Sequence, residues 1–169
     1  MKRFFKSMMV AVAAITAVMT LSSFAYQDDE LDAKAIIKSA VEEIHKTCPQ
    51  DLGEGLIMRD VYIASNKMCY DLQAPENVVD GFELMMDTNA AGTKKMMVES
   101  MLSGGKEVVF MFLMCVEAGY GIEFRFSGKD SAKSISIALS SNELADVLVS
   151  KYSEEELEDI VVELLVQYM

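Results

Sequence analysis

The chain has 169 residues, with 15 basic and 27 acidic side chains and a net charge of −12. Residues 1–25 hold Lys2, Arg3 and Lys6 and no acid, so removing them would leave a chain of net charge −15. Such a charge repels phosphate and excludes nucleic acid and anionic lipid surfaces as natural partners. At 51% hydrophobic residues the chain has enough apolar surface to fold.

The first 25 residues read as a secretory signal peptide. Lys2, Arg3 and Lys6 form the basic start, and Met8–Leu21 is an apolar run of about 14 residues, short of the roughly 20 that span a bilayer. Ser23 and Ala25 place small residues at −3 and −1 of a cleavage site before Tyr26. The expected organisation is a signal peptide over 1–25 and a single domain over 26–169, exported to the periplasm or the extracellular space. No stable membrane insertion is expected after cleavage.

Residues 28–46 read as a helix, with Asp28 and Asp29 at its positive end and Leu31, Ala35, Ile37, Val41 and Ile44 at helical spacing. Cys48-Pro49 stops it. Leu56–Ala64 and Lys67–Gln73 alternate as a hairpin turning at Ser65-Asn66, with Ile57, Val61 and Ile63 sharing a face and Arg59 the polar exception. Residues 76–88 are compatible with helix or strand. Asn89–Ser103 predicts a helix that Gly104-Gly105 ends. Val108–Val116 is continuously apolar and bounded by glycines, the pattern of a strand buried at the centre of a sheet. Tyr120–Phe126 and Ile135–Leu139 alternate and complete a meander. Ser140 with Glu143 and Ser153 with Glu156 form two capping boxes that open the last helices. On the last of these, Leu157, Ile160, Val161, Leu164 and Leu165 form a stripe expected to pack on the sheet. The fold class expected is α+β, one mainly antiparallel sheet of about five strands packed by helices.

Chemistry-bearing residues are few. His45 is the single histidine, three residues before Cys48, and one Cys–His pair lacks the further ligands of a zinc site. The 14 methionines include Met96, Met97, Met101, Met111 and Met114, among apolar neighbours where Met fills cores. Glu117 and Glu123 flank the Gly119/Gly121 turn as a solvated rim. No motif implies a cofactor or metal, and no catalytic residue is assigned. Cys48, Cys69 and Cys115 leave two readings open: one bridge in an oxidising compartment, or three buried thiols. If a bridge forms, Cys48–Cys115 is the expected pair, with Cys115 placed at a strand end and Cys69 inside a strand.

The layout resembles a broad group of small exported bacterial proteins of uncharacterised function. The resemblance rests on Cys48-Pro49 after an N-terminal helix, the Leu56–Leu72 hairpin and the Val108–Leu139 meander holding Cys115. It implies export and a small α+β fold, and no activity. The function expected is a non-catalytic binding protein, its partner another protein. The alternative is a small envelope enzyme or metal-handling protein. The oligomeric state is undetermined. Intact-mass measurement of the exported protein is expected to show a chain beginning at Tyr26; a mass retaining residues 1–25 overturns the cleavage site.

Overall fold

The computed structural model describes residues 32–168. The expected signal peptide over 1–25 and the expected acidic helix start at Asp28 and Asp29 lie outside the described residues. The first described helix, α1 (Ala33–Thr47), starts at Ala33. Asp32 caps it, its carboxylate accepting from the Lys34 and Ala35 N–H groups at 3.0 and 3.1 Å. Ile36, Ile37, Ala40, Val41 and Ile44 form its buried face. The Cys48–Pro49 bond is cis.

Five strands follow a single order, β1-β2-β3-β4-β5: β1 (Gln50–Gly53), β2 (Leu56–Ala64), β3 (Lys67–Ala74), β4 (Gly121–Gly128) and β5 (Ser134–Leu139). Three of the four pairings are antiparallel and β3–β4 is parallel. The β2–β3 turn holds Ser65 and Asn66 at φ of 50° and 56°, the left-handed pair that a tight hairpin uses. A bulge between Met58 and Asp60 shifts the β2 register. It places Met58, rather than Ile57, on the buried face with Val61, and leaves Arg59 exposed.

Between β3 and β4 the chain makes two helices, α2 (Glu76–Leu102) and α3 (Lys106–Glu117). Residues 76–88, undecided from sequence, are helical. Asn89 breaks α2 with non-helical angles, and its side chain accepts from the Gly92 N–H at 2.9 Å, restarting the helix. The principal correction concerns Val108–Val116. This run is not a central strand but the body of α3. Val108, Val109, Phe110, Met111, Phe112, Met114 and Cys115 are all buried. The helix packs against α1, α2, β4 and the two C-terminal helices, α4 (Ser141–Lys151) and α5 (Glu154–Tyr168). A helix covered over most of its surface needs no polar face, so its sequence loses the helical period. The meander is therefore a β4–β5 hairpin, and β1 supplies the fifth strand.

The helices and one sheet face share a single core, built on the sheet side from Met68, Tyr70, Leu72, Ile122, Phe124, Phe126, Ile137 and Leu139. Tyr70 stacks on Phe124 with ring centres 5.2 Å apart, and Phe82 of α2 meets Phe126 at 4.6 Å. Gly121 is required at its site, since a Cβ there would lie 2.2 Å from the Leu139 carbonyl oxygen. Both C-terminal capping boxes form. The stripe on α5 packs on α3 rather than on the sheet.

If α3 organises the core, Phe112→Ala should cost about 3–5 kcal/mol in urea unfolding. Leu84→Ala, at a position 68% exposed on α2, should stay within about 0.5 kcal/mol of the parent.

Candidate functional site

The C-terminal turn of α3 leaves the core between three helix ends. The first turn of α1, the last turn of α4 and the first half of α5 complete a groove of about 1290 Å³. Its floor is apolar: Leu113 and Met114 of α3 with Leu157 and Val161 of α5. Val149 and Val162 stand on its lip, 68% and 60% exposed. Its rim is acidic. Asp32, Glu117, Glu154 and Glu158 surround it, against one basic residue, Lys34. Local chemistry explains the acids: Asp32 caps α1, and Glu154 lies in the first turn of α5, where the helix dipole favours a negative charge. The same capping that starts two helices thus charges one end of the groove. Neither histidine nor cysteine lines it among the described residues.

His45 and Cys48 do not form a pair. His45 Nδ1 lies 2.6 Å from Asp60 Oδ1, while the Cys48 thiol donates to the Ile44 carbonyl at 3.4 Å. Burial pushes the Cys48 thiol up, and the Asp60 carboxylate adds to the shift. That is the reverse of what an activated nucleophile needs. Burial, and then Glu123, likewise raise Cys69. Cys115 lies within α3, not at a strand end, and burial pushes its thiol up to about 12. The structure holds all three cysteines as free thiols.

The methionines at 97, 101, 111 and 114 are buried in the core, and Met96 is half-buried. No group of three or more His, Cys, Asp or Glu side chains stands at metal-binding distance among the described residues. Glu117 and Glu123 have separate surroundings. Glu117 is exposed on the groove rim, whereas Glu123 is buried on the sheet face away from the core. There Glu123 accepts from Arg125 Nε at 2.7 Å and Ser136 Oγ at 2.7 Å, and pairs with Lys67 Nζ at 2.6 Å. Arg125 also donates to the Tyr62 hydroxyl at 2.7 Å. These contacts, with Arg125 first, hold the Glu123 carboxyl down to about 2 against burial, which opposes them.

The sequence pattern concealed the groove. Val149 and Val162 look like ordinary helix residues, and only the packing of four helices brings them together. The one available signal was Val162 lying just off the apolar stripe of α5.

No family model matches the chain, and no curated protein matches it in sequence. Among solved structures, the chain is similar to a secreted-protein candidate of Pseudomonas aeruginosa, at 9% identity and a TM-score of 0.47. The likeness covers 68% of this chain and 98% of that one, and at this score it carries no argument about function. No helix among the described residues is long and apolar enough to cross a membrane.

The Glu123 cluster has a pH signature. A carboxyl whose folded pKa lies below its unfolded value stabilises the fold above the unfolded value and loses that contribution as pH falls through the folded one. The stability gap between the parent and Glu123→Gln should be full at pH 6–7 and should shrink from the ordinary carboxylate range down towards pH 2. Urea unfolding across that window checks it, and a gap independent of pH would contradict the ionised network.

Proposed function

We propose that the protein is an exported, non-catalytic interaction protein that binds a cationic amphipathic segment of another protein in the groove between the helix ends. The observation that carries this reading is the pairing of an apolar floor with an acidic rim. Apolar side chains on a ligand would cover Leu157, Val161 and the exposed Val162, removing them from water. Lysine or arginine on the same ligand would meet Asp32, Glu117, Glu154 and Glu158. A second copy of this chain is a poor occupant, because two acidic rims on strongly negative molecules repel. The enzyme alternative requires an activated group, and burial keeps the thiols protonated.

The test is titration of the mature protein with two synthetic 18-residue amphipathic helices, one of Leu and Lys and one of Leu and Glu, by fluorescence anisotropy. The Lys helix should bind and the Glu helix should not. Charge reversal at Glu117 and Glu158, both exposed, should weaken binding by roughly tenfold and flatten its salt dependence without altering the melting curve. Equal binding of both helices, or no effect of the reversal, defeats the proposal.

A further inference from the structure

β2 has an open edge, and the geometry identifies which of its main-chain groups face outwards. The two-residue turn at Ser65-Asn66 makes Ala64–Lys67 the hydrogen-bonded closing pair of the hairpin, followed by Tyr62–Cys69. The peptide groups of Ala64 and Tyr62 therefore face β3, and those of Val61 and Ile63 face away from it. On that outer side β1 reaches only Leu56–Met58. The Val61 N–H is turned onto the Asp60 carboxylate at 2.7 Å. Val61 is fully buried, so its carbonyl is closed to a ligand, and the outward N–H and carbonyl of Ile63 are left without a strand partner among the described residues.

This edge does not face bare solvent. A second groove, of about 710 Å³, runs between it and α1, with Val41, Val61, Ile63 and Tyr120 among its walls. Lys34 and Lys38, one helical turn apart on α1, line the same groove and make no ion pair among the described residues. Of the two acids lining this groove, Asp32 is engaged in capping α1, which leaves Glu42. The chemistry offered is the main-chain N–H and carbonyl of Ile63, an apolar trough, and two unpaired ammonium groups.

We infer that the β2 edge is a second docking site, which takes an extended peptide segment as an added strand, with apolar side chains at alternate positions in the trough and carboxylates against Lys34 and Lys38. Main-chain pairing supplies affinity without demanding a particular sequence, and the trough and the lysines select the alternation and the charge. The occupant differs in both conformation and charge from the cationic segment assigned to the other groove. Each site can therefore fail independently.

The experiment uses an array of immobilised hexapeptides probed with fluorescently labelled mature protein. One arm alternates Val, Ile, Leu or Phe with Glu. A second replaces Glu by Lys, and a third replaces the central apolar residue by Pro. Only the first arm should bind. Ile63→Pro removes one outward N–H and should weaken binding by roughly tenfold or more. Lys38→Glu, an exposed change that leaves the strand intact and lines only this groove, should do the same and covers the case in which the proline variant fails to fold. Binding of the lysine arm as strong as the glutamate arm overturns the inference, as does no binding by any arm. So does sedimentation showing that the protein alone pairs through this edge into a dimer abolished by Ile63→Pro.

Discussion

Helix α3 is covered over most of its surface. α1, α2, α4, α5 and β4 all pack on it, and seven of its residues from Val108 to Cys115 are buried. In a chain of this size one sheet face cannot cover such a helix by itself, so the other helices must form a shell around it. That demand explains the amphipathic α1, the long broken α2 and the two capped helices at the C-terminus. Each presents one apolar face to α3 or to the sheet beneath it, and each keeps its polar face outside. The groove follows from the same arrangement. The shell thins where α3 ends at Glu117, and the ends of α1, α4 and α5 do not close over Leu113 and Met114.

The chemistry is sorted by burial. Cys48, Cys115 and the core methionines keep their sulfurs in or beside the core, while Cys69 is buried on the opposite sheet face; in all of these places the charged form of a thiol is costly. The charged network of Lys67, Glu123 and Arg125 occupies the opposite sheet face. Glu123 is buried there yet ionised, because three donors converge on its carboxylate. What the surface presents is shape, charge and unpaired main chain.

The C-terminal helix has the character of an adaptable wall. α5 anchors itself through Ile160 and Leu164, its two buried side chains among the described residues, and holds Val162 and Val166 in solvent. An element with few buried anchors lies at the low end of local stability, where side chains can rearrange on a ligand at modest cost. The salt link from Lys106 to Glu163 ties it to the start of α3 without deepening its burial.

Local rules were legible wherever a short stretch decides its own structure. Ser140 with Glu143 and Ser153 with Glu156 announce helix starts, Ser65-Asn66 announces a tight hairpin, and Gly104-Gly105 announces the break between α2 and α3. The alternation of Tyr120–Phe126 and Ile135–Leu139 marks strands with one wet face. Tertiary structure decided the rest. A period exists only when one side of an element meets water, so α3, covered over most of its surface, carries no trace of its helical state and reads equally well as a strand. The short β1 acquires its identity from pairing with β2, and the bulge at Arg59 reassigns Met58 to the core through a register that no local pattern specifies. The parallel β3–β4 pairing depends on how the intervening helices fold back. Both grooves are made of residues far apart in sequence, from Asp32 to Val162 in one and from Asp32 to Tyr120 in the other, and they exist only once the shell around α3 has closed.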